Sequence, residues 1–290
     1  MMSVNAQAGP VSFKQTLSAT LTTLRWATIV VGAVAMALPF VWMVLTSFKH
    51  DYEVLRIPIT WLPDQAFYFE NYKEVFARQP FGQFFVNSFI VTGAATISSL
   101  FFSSLGGYAF AKFQFPGKEV IFFAFVLAVL MVPFEVVVVP LYLLFNSVGL
   151  TNTYLGLAGP NLLSAFGVFI MRQFMQSIPN DYIDAARVDG QSEFGIFLRI
   201  VLPLSVPALA TLGTVKFIWT WNDFLWPLVI VQTDAMKTVI LGLANYTGMW
   251  YTSYVTVTAA SFLSIIPMII IFVIFQEFVI RGITMTGLKG

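Results

Sequence analysis

Six long apolar runs constrain this chain more than any other feature: Trp26–Ser47, Phe84–Phe110, Val120–Phe145, Tyr154–Met175, Leu204–Val231 and Val257–Val279. A helix needs about 20 apolar residues to cross about 30 Å of hydrocarbon, and each run is long enough. The runs are blocks, with neither strand alternation nor a heptad pattern. Composition agrees, with 58% hydrophobic and 10% charged residues and a mean hydropathy of +0.82; a soluble domain carries about 25% charged residues. The expectation is an all-α polytopic membrane protein with about six transmembrane helices. The first run is longer than a signal-peptide core and continues apolar past Ala37, so it is expected to remain as a helix.

The connections set an orientation. Lys14, Arg25, Lys112, Lys118, Arg172, Arg187, Arg199, Arg281 and Lys289 fall on one side, nine basic residues against five on the other. Basic loops stay inside, so both termini and the Arg172–Pro203 connection are expected to be cytoplasmic. This divides the chain into an N-terminal segment, residues 1–25, a permeation domain, residues 26–280, and a tail, residues 281–290. Outer loops are expected at 49–83 and 232–256, and a large inner loop at 177–203. The turns Lys112–Lys118 and Asn146–Asn152 carry glycine or proline signals.

Several function classes are excluded. Cysteine is absent and His50 is the single histidine, which leaves no thiolate site, no His-rich metal cluster and no metal site to propose. The spans hold no paired acids at a catalytic spacing, so no catalytic residue is assigned. A net charge of +1 offers no basic stripe for a nucleic acid. The second run is dense in small residues, from Gly93, Ala94 and Ala95 through Ser98, Ser99, Ser103 and Ser104 to Gly106 and Gly107. Such a helix lets neighbours approach closely in lipid and is expected to be interior.

The inner loop reads as two short helices. Pro179 suits a first turn, Asn180 or Asp181 can cap, and Asp184 and Arg187 stand at i,i+3. Gly190 supplies the positive φ that ends the first helix. Ser192 and Glu193 then start a second, whose Phe194, Phe197, Leu198 and Val201 are expected near one face before Leu202-Pro203 opens the next span. Ala185-Ala186 gives a low-relief surface, with Tyr182 and Val188 beside it as apolar anchors, so the loop is expected to dock another protein.

Asp184-Ala185-Ala186, Asp189-Gly190, Phe197, Ile200 and Leu202-Pro203 together resemble the Glu-Ala-Ala loop of permeases in bacterial ATP-binding-cassette (ABC) importers. The likeness extends through Leu38-Pro39-Phe40, Phe115-Pro116-Gly117-Lys118, the stretch from Trp221-Asn222-Asp223 to Leu228, and the tail Gly287-Leu288-Lys289-Gly290. The chain looks like the smaller permease of the maltose-type carbohydrate class. One departure is Asp184 where glutamate is commoner, a carboxylate shorter by one methylene. The resemblance implies the type I importer permease fold and a bacterial or archaeal cytoplasmic membrane. It also implies a heterodimer with a homologous permease, two ATPase subunits that use ATP and Mg, and an extracytoplasmic solute-binding protein. The chain carries no Gly-x-x-x-x-Gly-Lys-Ser/Thr phosphate loop, so hydrolysis is expected on partner chains and no cofactor on this one.

The solute would be a di- or oligosaccharide, with glycerol-phosphate-type or polyol solutes as the alternative. Glu135, Lys216 and Asp223 are costly in lipid and are candidates to line the path. Lys216 lies two helical turns from Asp223 on the same face, so a link through intermediate groups is the competing reading. Trp219, Trp221, Asn222 and Asp223 combine flat rings with hydrogen-bonding groups suited to sugars, with a tryptophan belt as the competing explanation. Tyr246, Trp250, Tyr251 and Tyr254 of the outer loop are expected to touch the binding protein. An ion-driven secondary transporter is the remaining rival, kept open by Glu135 and Asp223.

Overall fold

The computed structural model describes residues 13–64, 67–247 and 252–287. Among them the chain forms helices and no strand. In order these are α1 (Phe13–Thr46), α2 (Asp51–Val54), α3 (Glu70–Arg78), α4 (Phe81–Lys112), α5 (Lys118–Leu130), α6 (Phe134–Ser147), α7 (Tyr154–Ala158) and α8 (Ala165–Gln176). The second half holds α9 (Asn180–Val188), α10 (Glu193–Ile196), α11 (Leu202–Leu204), α12 (Val206–Trp221), α13 (Leu225–Ile230), α14 (Val239–Leu243) and α15 (Tyr254–Gly287).

Three stretches are single helices long and apolar enough to cross a membrane: Leu21–Thr46, Phe81–Lys112 and Tyr254–Val279. Three more qualify only as bent pairs: α5 with α6 at 92°, α7 and its following turn with α8 at 47°, and the Glu193–Leu204 segment with α12 at 78°. The first two breaks, and a further one after α12, have local causes. Pro133 drives Val132 out of the helical region ahead of α6. Ser164 caps α8 by accepting the Gly167 N–H at 3.0 Å. The expected single run Leu204–Val231 is interrupted at Asn222–Phe224, because Pro227 has no N–H to continue the ladder and its ring would strike the preceding turn.

The interior forms where α4 packs along α8 and α12, and α12 in turn packs along α15. Ala95, Ser99, Ser103, Ser104 and Gly107 are buried there, as expected for the small-residue helix. A Cβ on Gly107 would lie 2.6 Å from the Met171 Cβ, so α4 and α8 meet at a distance only glycine allows. Gly93 has no such neighbour within 4 Å, so it does not take part in that packing. Both sharp turns fold as read, with positive φ at Gly117, Gly149 and Asn152.

Both long polar connections contain helices. The 49–83 loop contains α2, α3 and the start of α4, while 232–256 contains α14 and the start of α15. Of the terminal segments, residues 1–12 and Leu288–Gly290 lie outside the described residues, as do Trp250 and Tyr251.

Candidate functional site

The 177–203 connection holds two short helices joined by a tight turn. α9 runs Asn180–Val188, and Gly190 turns the chain at φ +77°, so that Gln191 N–H reaches the Ala186 carbonyl at 3.0 Å. Ser192 caps α10 through the Gly195 N–H at 3.2 Å. Neither Asn180 nor Asp181 caps α9: Pro179 occupies the cap position, and Asn180 Oδ1 instead accepts from Lys112 Nζ at 2.9 Å. The same ammonium donates to the Ile178 carbonyl at 2.5 Å, tying the end of α4 to the entry of α9.

Beneath α9 lies a cluster of Tyr108, Met171, Met175, Ile183, Ile196, Phe197 and Val201, all buried, joined by Ala208 and Leu212 of α12. The exposed face of α9 and α10 therefore differs in detail from the expectation. Ala186 belongs to this core while Ala185 is exposed. Phe197 and Val201 point in, but Phe194 and Leu198 are exposed, and a π-helical turn over Phe197–Val201 widens the helix beyond Phe194. Leu202 is half-buried and Pro203 exposed at the bend. Tyr182, Asp184, Asp189 and Gly190 face outward beside Val188, which is 88% exposed.

Charge locks the platform. Arg187 donates to Asp184 Oδ1 at 3.0 Å and to Glu193 Oε1 at 2.6 Å, and its guanidinium is held above its ordinary pKa chiefly by the Glu193 bond. The Tyr108 hydroxyl donates to Glu193 Oε2 at 2.9 Å. A continuous chain, Asp184–Arg187–Glu193–Tyr108, thus runs from the outer surface of α9 to the interior of α4. Tyr108 and Lys112 were not legible as members of this site, since only folding brings them beside the loop.

The candidate path residues separate into two groups. Lys216 is buried and donates to Asn161 Oδ1 at 2.8 Å, while the Asn161 amide donates to Asp223 Oδ2 at 3.3 Å. Asp223 Oδ1 also accepts the Trp226 N–H at 3.3 Å, capping α13. The expected indirect link between Lys216 and Asp223 is present, with Asn161 as the intermediate that spacing did not reveal. Trp221 is 1% exposed; its indole donates to the Ser264 carbonyl at 3.0 Å and stacks on Phe217, so it packs the interior rather than lining a surface. Trp219, Asn222 and Glu135 are exposed, although the Asn222 amide is engaged with the Ile218 carbonyl at 2.8 Å.

Of the aromatics in the 232–256 connection, Tyr254 is exposed. Tyr246 turns inward: it is 5% exposed, its hydroxyl donates to the Val75 carbonyl at 2.7 Å, and burial pushes its pKa up to about 12.

Comparison with known proteins fits this geometry. The family described as "Binding-protein-dependent transport system inner membrane component" matches residues 103–285, which include α9 and α10. The arabinooligosaccharides transport system permease protein AraQ of Halalkalibacterium halodurans is 36% identical over 87% of this chain and 91% of its own length. The alpha-glucoside transport system permease protein AglG of Rhizobium meliloti is 34% identical over 81% of this chain and 64% of its own length. The fold matches a chain in the crystal structure of a bacterial ABC transporter involved in the import of the acidic polysaccharide alginate. There the TM-score is 0.79 at 22% identity, covering 93% of this chain and 99% of the other. The chain belongs to the binding-protein-dependent transport system inner membrane component family, whose relatives here are ABC-type sugar transport permeases, and is an inner-membrane protein.

Proposed function

We propose that this chain is one of two homologous permeases in an ATP-driven importer of a di- or oligosaccharide. In this reading it crosses the membrane six times, with both termini and the α9 platform in the cytoplasm. The observation that carries the reading is α9 itself. It is a short exposed helix bearing Asp184-Ala185-Ala186 and closed by Gly190, and it is bolted to α4 and α12 by a buried cluster and an ion chain. A solvated loop needs no such support. A docking helix does, because force received at Tyr182, Asp184 and Val188 moves the spans only if the platform does not yield.

Hydrolysis of ATP with Mg is assigned to two partner ATPase subunits. Their closure displaces α9, and the cluster around Met171, Phe197 and Leu212 carries that displacement to α8 and α12. The exposed end of α12, with Trp219 and Asn222, and the exposed Glu135 are the groups of this subunit best placed to meet a solute or the partner permease. Lys216 and Asp223 act by holding the break after α12 against Asn161. Tyr254, with Trp250 and Tyr251 beside it in sequence, is assigned to the binding protein.

The relatives' printed solutes support a saccharide: arabinooligosaccharides, an alpha-glucoside and, for a Rhizobium radiobacter relative 30% identical, lactose. A relative at 32% identity, from Brucella abortus, is named for sn-glycerol-3-phosphate and keeps that class as the second reading. The test is ATP hydrolysis and uptake in vesicles holding both permeases and the ATPases, with binding protein loaded from a panel of saccharides and sugar phosphates. One saccharide is expected to stimulate both, and Gly190→Pro, which cannot take a φ of +77°, is expected to abolish the stimulation. Uptake driven by an ion gradient without the ATPases would overturn the reading.

A further inference from the structure

Of the three unbroken helices of membrane length among the described residues, α4 is the one without a proline: α1 carries Pro39 and α15 carries Pro267. The three further membrane-length segments are bent pairs. Proline removes a ladder bond and kinks a helix, so α4 is the stiffest of the six. It is also gripped by polar side chains near both ends, and the two grips hold different parts of the chain.

Near the start of α4, Asn87 is fully buried and fills every hydrogen-bonding position of its amide. Its Nδ2 donates to the Ala235 and Lys237 carbonyls, both at 2.8 Å. Its Oδ1 accepts from Gln83 Nε2 at 2.9 Å and from the Tyr154 hydroxyl at 2.8 Å. On the next residue, the buried Ser88 Oγ accepts the Val239 N–H at 2.8 Å. A Cβ on Gly242 would lie 2.3 Å from Phe84 Cδ2, so α14 rides directly on α4. The 235–239 stretch is thus held through three of its backbone groups. It cannot shift unless α4 moves with it or those groups lose their partners in the interior.

Near the other end of α4, Tyr108 donates to Glu193, and Lys112 donates to the Ile178 carbonyl and to Asn180. Asn87 and Tyr108 stand 21 residues apart, about 31 Å along a helix that rises about 1.5 Å per residue. That matches a hydrocarbon layer of about 30 Å.

Granting the importer reading above, on which this rests, we propose that α4 is the rod that carries the binding protein's signal to the ATPases. Asn87 and Tyr108 are the positioning residues at its two ends. The binding protein displaces the 232–256 connection, Asn87 and Ser88 pass that displacement to α4, and Tyr108 and Lys112 deliver it to α9 and α10. A bent span would absorb such a displacement at its break, whereas α4 translates or tilts as a whole.

The test is ATP hydrolysis by the complete importer in vesicles. Binding protein is loaded with whichever saccharide of the panel stimulates the unmodified importer. The quantity read is hydrolysis with saturating binding protein divided by hydrolysis without it, so a variant that merely assembles in smaller amount leaves it unchanged. Asn87→Asp keeps an acceptor for Gln83 and Tyr154 but sets a carboxylate oxygen against the Ala235 and Lys237 carbonyls. Tyr108→Phe releases Glu193. Each is expected to lower the ratio several-fold, and the double variant no further than the stronger single, because one rod fails when either end is loose. If Asn87→Asp does not assemble, Ser88→Ala, which removes only the acceptor of the Val239 N–H, replaces it in the same cycle. Reductions that multiply in the double variant would mean two independent routes and overturn the rod. An unchanged ratio in either single would do the same, as would a loss that more binding protein restores, since the residue would then only shape the docking surface. An unmodified importer that no loaded binding protein stimulates would overturn the importer reading and the rod with it.

Discussion

Lys216 shows how a costly residue in a span is made tolerable. Its ammonium is buried, and the nearest oxygen belongs to Asn161, which passes the interaction on to Asp223. Removing the cation leaves Asp223 in a low-dielectric site with only an amide and a backbone N–H. Lys216→Met is expected to cost about 1–3 kcal/mol, read as a lower thermal midpoint in detergent. Lys216→Met with Asp223→Asn is expected to recover part of that, because the double variant leaves no unpaired charge. Additive losses would show that the two residues do not communicate through Asn161. Sequence spacing already placed Lys216 and Asp223 on one face, seven residues apart. Asn161 was invisible because it arrives from the break between α7 and α8. Trp221 illustrates the converse: its residue type suited a sugar, but whether an indole faces a path or a core depends on Phe217 and Ser264, which only packing brings to it.

At the scale of elements, α9 was the most legible part of the chain and its attachments were the least. Local signals define it fully: the proline before it, the i,i+3 pair within it and the glycine after it. What holds it to the membrane domain is non-local, since Tyr108 and Lys112 are more than 60 residues away from their partners. The π-turn at Phe197–Val201 was also unreadable, because a hydrophobic run does not announce one extra residue in a turn. Tyr108→Phe removes the bond from α4 to Glu193 while keeping the ring in place. Stability is expected to fall by about 1 kcal/mol or less, since the Glu193 carboxylate is partly exposed and keeps Arg187. The informative readout is solute carried per ATP hydrolysed, which is expected to drop while hydrolysis persists. An unchanged ratio would show that the ion chain is scaffolding alone.

For the whole molecule, apolar block length located the three single helices long enough to cross a membrane, because the bilayer imposes a length that sequence must satisfy, and it overlapped three further segments that qualify only as bent pairs. It could not show the bends within those pairs, since a break at Pro133 or Ser205 leaves the hydropathy of the segment unchanged. At the bend before α8, Asn161 reaches Asp223 at the break after α12, so irregular backbone at these two points is joined by a polar contact. The central claim is that this architecture ends in a docking helix for a separate motor. The most direct test is photo-crosslinking from Val188→Cys and Tyr182→Cys, each carrying a thiol-linked benzophenone, in membranes containing the complete importer. Both positions are exposed on α9, and both are predicted to yield an adduct with the ATPase subunit. Absence of that adduct from both, or an equal yield from a label at Ile57→Cys, would contradict the assignment.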